Sequence, residues 1–131
     1  MVLLNTHVLV WLVVEPSRLS AAAVKAIGEA VNSGGIAIAS VTLLELATLI
    51  VRGRLLPGGP PASVLEELVD RTGVVVKAIT PAIAVLAAQF PEPFPGDPAD
   101  RLIAATAHVE GIPLITRDAK LRRSSTVQTI W

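Results

Sequence analysis

Short apolar stretches alternate along this chain with longer mixed segments that begin at capping residues. The short stretches are bounded by turn residues and predict five strands. They lie at about 2–5, 36–39, 74–79, 112–116 and 127–131. The second, IAIA, is wholly apolar, which is typical of a strand covered on both faces.

The segments between these strands carry signals for the start and end of helices. Ser20 is a favourable N-cap, and Thr80-Pro81 and Asp97-Pro98 each pair a cap with a proline at the first helical position. The predicted helices lie at about 6–14, 21–32, 41–51, 62–72, 81–90, 98–109 and 118–123. The proline- and glycine-rich stretches at 52–61 and 91–96 predict irregular loops.

Strands that alternate with helices predict an α/β fold, because parallel neighbours need crossover connections that place helices on the sheet faces. We therefore expect a three-layer α/β/α sandwich with a central parallel sheet. The length of 131 residues suits one domain, which we assign to residues 1–131. Ligands of such sheets bind beyond the carboxyl ends of the strands, so a site is expected at that edge.

The composition narrows the chemistry that such a site can use. There are no cysteines, which excludes disulfides, thiolate metal sites and cysteine nucleophiles. Aromatic residues make up 3% of the chain, so we do not expect a base-stacking surface. The net charge is zero, but residues 101–123 hold five basic residues against two acidic ones, which permits a local basic rim.

The apolar first segment does not resemble a secretion signal. It has no basic residue before its apolar run and no small-residue cleavage pattern after it. No apolar run approaches the ~18 residues that are needed to span a membrane. We therefore expect a cytoplasmic protein without membrane contact.

Oxygen-bearing side chains collect at the predicted carboxyl edge of the sheet. Asn5 follows the first strand, Glu45 lies one turn into the helix after the second, and Asp118 lies two residues beyond the fourth. Asp97 and Asp100 begin the helix before the fourth strand. Because converging carboxylates repel one another, such a cluster needs a cation or shared protons. Mg²⁺ or Mn²⁺ suits ligands that are all oxygen atoms.

Each of these residues also has a purely structural interpretation. Asn5, Asp97 and Asp118 lie at the starts of predicted helices and can act as N-caps. Asp100 lies in a first helical turn, where its charge favours the helix dipole. The stretch 42–45 (TLLE) matches a capping box, in which the glutamate would bond back to the helix start. Capping alone does not require acids at one edge from three strand units, so the combination favours a metal site.

Four stretches in a fixed order give these positions a family context. They are LLNTHVLVWLV, SVTLLELA, DPADRLIAATA and LITRDAKL, and together they resemble the motifs of PIN-domain ribonucleases, specifically VapC-type toxins of toxin–antitoxin pairs. The resemblance covers essentially the whole chain. It assigns the family's acidic positions to Glu45, Asp100 and Asp118, with Asp97 as an auxiliary.

The resemblance implies a PIN-like fold that hydrolyses RNA phosphodiesters with Mg²⁺ (or Mn²⁺). The implied metal ligands are Asn5, Glu45, Asp97, Asp100 and Asp118. The metal would activate water, so no protein nucleophile is needed. The family also implies a cognate VapB-type antitoxin whose tail covers the site, and a homodimer. Apolar residues within 43–51 and 64–69 are numerous enough to leave a face for such partners, or they are all core.

Residues beside the acids are candidates for contact with substrate. The Thr6 hydroxyl would hold a water or a phosphate oxygen, or it would cap the helix. Arg101 and Arg117 would bind phosphate, or they would pair with carboxylates. A basic rim for the RNA backbone, or an ordinary solvated helix face, is formed by Lys120, Arg122 and Arg123. His7 has no triad-like context and is expected to pack or to face solvent.

Asn5 departs from the family pattern, which has an aspartate that is a principal metal ligand. An amide oxygen coordinates without adding charge, so we expect weaker Mg²⁺ binding and interpret Asn5 as an inactivating change. The alternative is a catalytically weakened PIN-like module that binds RNA or protein. A receiver-like signalling domain also gathers acids at a sheet edge, but here the first strand does not end in an acidic pair.

Overall fold

The computed structural model describes residues 1–91, 94 and 96–131. Its strands are β1 (Val2–Leu4), β2 (Ile36–Ala39), β3 (Val75–Lys77), β4 (Leu114–Ile115) and β5 (Thr129–Ile130). They form one sheet in the order β3-β2-β1-β4-β5, and every pair is parallel. Buried clusters lie on both faces of the sheet, so the predicted three-layer α/β/α sandwich is confirmed.

Helices link the strands and begin close to the predicted caps. They are α1 (Thr6–Val14), α2 (Ala21–Val31), α3 (Ser40–Val51), α4 (Pro61–Thr72), α5 (Pro81–Gln89), α6 (Pro98–Glu110) and α7 (Ala119–Arg123), with a 3₁₀ turn at Pro16–Arg18. The Ser20 hydroxyl accepts from the Ala23 N–H at 3.0 Å, as an N-cap does. Within the described part of the chain, no helix combines the length and the apolar character needed to cross a bilayer.

Neighbouring residues of β1 enter opposite cores, because side chains of a strand alternate between its two faces. Leu4 packs in the core that contains Leu9 of α1. Leu3 packs in the other core, with Ile83 of α5 and Ile103 of α6. These side chains have no exposed surface. Every residue of β2 is also buried, as its wholly apolar sequence predicts.

The third strand is shorter than predicted. The apolar run 74–79 predicts a strand throughout, but β3 covers only Val75–Lys77 and has a single neighbour at the sheet edge. Val75 and Val76 are 44% and 37% exposed, so the run is not a doubly covered strand. The predicted loop at 91–96 includes residues 92, 93 and 95, which lie outside the described residues.

Backbone hydrogen bonds extend the sheet by one residue at its carboxyl edge. The Asn5 N–H donates to the Ile115 carbonyl at 3.1 Å, just beyond β1. The Thr116 N–H donates to the Ile130 carbonyl at 3.2 Å, just beyond β4. The backbones of Asn5 and Thr116 are therefore hydrogen-bonded to neighbouring strands of the sheet.

Candidate active site

A cavity of about 270 Å³ opens at this carboxyl edge. It is lined by Asn5, Thr6, His7, Val10, Trp11, Glu45, Leu49, Asp100 and Asp118. The sequence predicted that Glu45, Asp100 and Asp118 would converge, and the structure places them around one cavity with Asn5. Asp97 is not among the lining residues.

The Asn5 side chain is buried at the base of this cavity, with 4% of its surface exposed. Its Oδ1 accepts the Thr6 N–H at 2.8 Å, which caps α1 as predicted. Its Nδ2 donates to the Thr116 hydroxyl oxygen at 3.0 Å. The Thr6 N–H needs an oxygen acceptor, so these contacts fix the orientation of the amide.

Thr116 is a buried link between the first and fourth motifs. Its hydroxyl oxygen accepts from Asn5 and also from the Asp118 N–H at 3.0 Å. The side chain is completely buried. One oxygen therefore ties the Asn5 side chain to the backbone of Asp118.

Glu45 does not form the capping box that its sequence context suggests. The helix α3 begins at Ser40 with Ala39 as its N-cap, so Glu45 lies beyond the position that can bond back to the helix start. Instead, Glu45 Oε1 accepts the Thr6 hydroxyl at 2.5 Å. The capping-box interpretation is therefore wrong, and the glutamate faces the first motif.

The Thr6 hydroxyl holds Glu45 and does not cap α1. Its oxygen lies 3.0 Å from the Thr42 hydroxyl oxygen as well as against Glu45. A carboxylate can only accept, so the single Thr6 proton goes to Glu45, and Thr42 donates to Thr6. Thr42 is fully buried, and the relay Thr42 to Thr6 to Glu45 fixes the glutamate's position.

Asp97 and Asp118 are N-caps, as predicted. Asp97 Oδ1 accepts the N–H groups of Ala99 and Asp100 at 2.8 and 3.4 Å. Asp118 Oδ1 accepts the N–H groups of Lys120 and Leu121, each at 2.9 Å. Both capping bonds of Asp118 use the same oxygen, so its Oδ2 takes no part in the cap. A capping role and a ligand role are therefore compatible for Asp118.

The pKa of Asp100 is raised from 3.8 to about 6. Partial burial is the largest cause, and the negative charges of Asp97, Asp118 and Glu45 add to it. Lys120 opposes the shift but does not cancel it. Asp100 is therefore a partly buried acid beside an excess of negative charge.

The donor set of the cavity fits a hard divalent cation that keeps part of its water shell. Across the described residues, no three carboxylate or imidazole side chains are gathered closely enough to hold a metal ion together. Mg²⁺ commonly binds through one or two carboxylates and several waters, so it does not need a closed protein cage. Asn5, Glu45, Asp100 and Asp118 line the cavity and carry side-chain oxygens, the atom type that such an ion binds.

Comparison with known proteins assigns the family. A PIN domain model matches residues 2–125 of the chain. The chain belongs to the PIN-domain family. It is also 42% identical to Ribonuclease VapC22 of Mycobacterium tuberculosis, over 99% of this chain and 98% of that protein. This PIN domain is therefore of the VapC type, as its four motifs predict.

Solved structures agree on the fold of this PIN domain. VapBC2 from Rickettsia felis, crystallised with a DNA fragment from its promoter, matches with a TM-score of 0.73 and 16% identity over 98% of this chain and 97% of that chain. DNA-bound VapBC from Salmonella typhimurium matches with a TM-score of 0.72 and 19% identity over the same shares. At these identities the likeness concerns the fold alone.

The two arginines that flank the acids of the PIN domain are placed differently from each other. Arg101 does not line the cavity. Its Nη1 donates to the carbonyls of Ala87 and Phe90 at 3.1 and 2.8 Å, at the end of α5. These contacts fasten α6 to the end of α5. Arg117 is exposed, and its guanidinium lies 5.8 Å from the ring centre of Trp11.

His7 packs against the aromatic wall of the PIN domain's cavity. Its ring lies edge-on to Trp11, with the ring centres 5.0 Å apart. Its Nε2 accepts the backbone N–H of Arg117, with 3.0 Å between the two nitrogens. The ring is therefore neutral, with its proton on Nδ1. Burial lowers the pKa of His7, and this outweighs the opposing effect of Asp118. This agrees with the expectation that His7 packs.

Sequence reasoning missed three residues that shape this site. Thr116 and Thr42 are buried hydroxyls whose roles depend on partners far along the chain. Thr116 directly follows β4, and that position at the end of a strand was the available signal. Trp11 lies one helical turn after His7, a spacing that places both side chains on one face of α1.

Proposed function

We propose that this PIN-domain protein is a VapC-type toxin, an endoribonuclease that uses Mg²⁺ or Mn²⁺. The observation that carries the proposal is the cavity lined by three carboxylates and the Asn5 amide at the carboxyl edge of the sheet. The relative from Mycobacterium tuberculosis is named a ribonuclease, which supports the reaction class. RNA is accordingly the proposed substrate.

The residues of the cavity divide into ligands and supports. The proposed metal ligands are Asn5, Glu45, Asp100 and Asp118. A bound cation would neutralise charge on the phosphate and lower the pKa of its water. Thr6 directs the Glu45 carboxylate, and Thr116 ties Asn5 to Asp118. Asp97 acts from outside the cavity, through its charge on Asp100.

Thr6, Arg101 and Arg117 remain proposed contacts of the substrate, with different support. Thr6 lines the cavity, but its proton is committed to Glu45. Arg117 is exposed beside the cavity wall and is free of the α5 contacts that hold Arg101. Arg117 is therefore the better supported of the two arginines as a phosphate contact.

Asn5 is proposed to impair the reaction by removing a negative charge from the ligand set. The site accommodates an aspartate at this position, because the Thr116 hydroxyl can rotate to donate where it now accepts. In the Asn5→Asp variant one carboxylate oxygen would still accept the Thr6 N–H, so the cap of α1 would survive. The substitution therefore changes charge with little change in shape.

Cleavage of total RNA by the Asn5→Asp variant tests this function. We expect the variant to cleave RNA in the presence of Mg²⁺ at a rate at least about tenfold above the parent chain, because the parent lacks the negative charge that the new carboxylate would add to the metal ligands. EDTA should abolish cleavage. Asn5→Asp combined with Asp100→Asn is the matched control, and it should be inactive.

Two results would contradict the proposal. Equal cleavage by the parent chain and Asn5→Asp would reject the impairment by Asn5. Cleavage that persists in EDTA, or in the variant that also carries Asp100→Asn, would reject the metal-dependent mechanism.

The proposed partners are a cognate VapB-type antitoxin and a second copy of this chain. Matching structures from two bacteria are VapBC complexes, which supports the antitoxin. Leu44 and Val51 of α3 are 68% and 69% exposed. A cavity of about 520 Å³ between α3, α4 and β3 includes Leu43 and Leu65. These apolar surfaces support protein contacts on this side of the sheet.

The second candidate is a PIN-like module that binds RNA or protein without cleaving it. Asn5 favours this candidate, since it is a proposed ligand that brings no charge. A Mg²⁺ titration separates the two functions. A nuclease should bind Mg²⁺ through its acids, whereas a binding module should keep its affinity for RNA when Mg²⁺ is removed.

A further inference from the structure

The two tryptophans of the chain lie side by side at the edge of the sheet that carries the acids. Trp11 is in the second turn of α1, and Trp131 directly follows β5. Their ring centres are 5.9 Å apart, and their planes are tilted by 55°. His7 packs edge-on against both rings. The parallel sheet therefore brings together two aromatic residues from opposite ends of the sequence.

Each tryptophan lines a different cavity, and the two cavities carry side chains of opposite charge. Trp11 lines the cavity that holds Glu45, Asp100 and Asp118. Trp131 lines a second cavity of about 450 Å³. That cavity is also lined by Ala119, Arg122, Arg123 and Thr129. An extended ligand would pass from acidic to basic surroundings across the two rings.

Two arginines lie over the Trp11 ring, and one of them, Arg18, also pairs with Glu15 at 3.9 Å. The Arg18 guanidinium lies 4.3 Å from the ring centre of Trp11, and that of Arg117 lies 5.8 Å away. Among the described residues that line the second cavity, none has an acidic side chain. Aromatic faces combined with arginines are the features by which proteins hold single-stranded nucleic acid.

We infer that Trp11 and Trp131 form a stacking platform for an unpaired base of RNA beside the phosphodiester to be cleaved. The RNA backbone then continues along Arg122 and Arg123 in the second cavity. This inference rests on the proposed ribonuclease function and deepens it, because it names the two residues that would hold a base beside the acids. A base in a duplex is already stacked and paired, so its faces are not available to the rings.

Charge favours RNA over a peptide as the occupant. The arginines beside the pair suit a chain with one negative charge per nucleotide. Their positive charge offsets the repulsion that the acidic cavity exerts on phosphate. An aromatic platform in place of a set of specific hydrogen bonds accepts every base, so sequence preference would come from other contacts.

The intrinsic fluorescence of the unmodified chain tests the platform directly. The chain has two tryptophans and no tyrosine, so its emission comes from this pair. We expect a short single-stranded RNA to quench the emission as it binds. A matched RNA duplex, and the same strand with abasic sites, should quench much less. Equal quenching by the abasic strand would overturn the inference, because phosphate contacts alone would then account for it.

Paired substitutions at Trp131 supply the second test. Trp131→Leu keeps an apolar side chain but removes the aromatic face, and it should raise the Kd for single-stranded RNA about tenfold. Trp131→Phe keeps a face and should remain within about threefold of the parent. Thermal unfolding of each variant checks that the fold is intact. Equal Kd values for the Leu variant and the parent would reject the platform.

Salt dependence tests the basic half of the path. Arg122→Gln with Arg123→Gln should reduce the slope of log Kd against log salt by about 1.4, the value for two phosphates of a single strand. Arg71→Gln is the matched control, since Arg71 is exposed at the end of α4 and pairs only weakly with Glu67. An unchanged slope in the double variant would remove the basic cavity from the path.

These measurements separate the platform from the nuclease. If Asn5→Asp cleaves RNA and Trp131→Leu in that background leaves KM unchanged, the nuclease stands and the platform is rejected. If no variant cleaves RNA but stacking and the Trp131 effect are seen, the platform stands and the nuclease is rejected. Loss of binding to an antitoxin tail peptide in Trp131→Leu, with RNA affinity unchanged, would assign the surface to a protein and overturn the inference.

Discussion

The Asn5 side chain makes two buried hydrogen bonds, one as an acceptor and one as a donor, whereas an ionised aspartate could only accept. Its oxygen caps α1, and its amide nitrogen donates to Thr116. The amide therefore satisfies the buried hydrogen bonds of the site without bringing a charge. This explains how the fold can keep a well-packed site while the proposed metal affinity falls. At this position the hydrogen bonds support the fold, and the charge of the side chain determines the proposed metal affinity.

The fold raises the pKa of Asp100, through burial and the neighbouring negative charges. Its pKa is about 6 in the folded protein against 3.8 without the fold, so the folded state binds this proton more tightly. The resulting stability is fully present below pH 3.8 and is lost as the pH rises through about 6. Without divalent cations, the protein should therefore be less stable at pH 7.5 than the neutral variant Asp100→Asn.

Thermal unfolding in EDTA measures this effect. Asp100 is only partly buried, so solvent screening reduces the effect to roughly 1 kcal/mol at pH 7.5, or about 4 °C in Tm. At pH 4 the advantage of Asp100→Asn should largely disappear. A variant that is no more stable than the parent at pH 7.5 would contradict the raised pKa.

The start of α6 shows how a helix cap and a charge can be separated by experiment. Asp97 Oδ1 accepts two N–H groups of the first turn, and its charge also raises the pKa of Asp100. Asparagine caps as well as aspartate but is neutral. Asp97→Asn should therefore keep the stability of the fold and lower the pKa of Asp100, whereas Asp97→Ala should lose about 1 kcal/mol.

Urea unfolding and a pH titration of the Asp100 carboxyl by NMR give the two readouts. Equal stability of Asp97→Asn and Asp97→Ala would show that the cap bond contributes nothing. An unchanged pKa of Asp100 in both variants would show that the charge of Asp97 is fully screened.

Local sequence signals predicted where helices begin, whereas contacts between distant residues determine which side chains meet in the site. The pairs Thr80-Pro81 and Asp97-Pro98 carry their own caps, so those helices were predictable. The capping box at 42–45 failed because β2 runs directly into α3, which moves the helix start to Ser40. The glutamate then bonds to Thr6, a partner that no local pattern contains.

Convergence of the acids was predictable because a parallel sheet has a single carboxyl edge. Residues after β1, β2 and β4 must meet there whatever their distance along the chain. The tryptophan pair obeys the same rule, since Trp131 follows β5. It was not foreseen because a low aromatic content says nothing about where the few aromatic residues lie. Position in the fold decides whether two rings can act together.

Divalent cations should stabilise the whole protein through this one site. A ligand that binds only the folded state adds RT ln(1 + [L]/Kd) to the free energy of unfolding, or about 2.7 kcal/mol at roughly 100 times its Kd. The ionised carboxylates that repel one another at pH 7.5 are the groups that would bind Mg²⁺. Mg²⁺ should therefore raise Tm at pH 7.5 and have little effect at pH 4.5, where Asp100 is protonated.

Comparison of four chains assigns the stabilisation to the proposed ligands. The increase in Tm with Mg²⁺ at pH 7.5 should be largest for Asn5→Asp, smaller for the parent and smallest for Asp100→Asn. Lys25→Gln, on the exposed face of α2, is the control and should respond as the parent does. NaCl at equal ionic strength accounts for general screening. If all four chains respond equally, or the response is the same at both pH values, the cation binds elsewhere, and the acids at the sheet edge lose their proposed role.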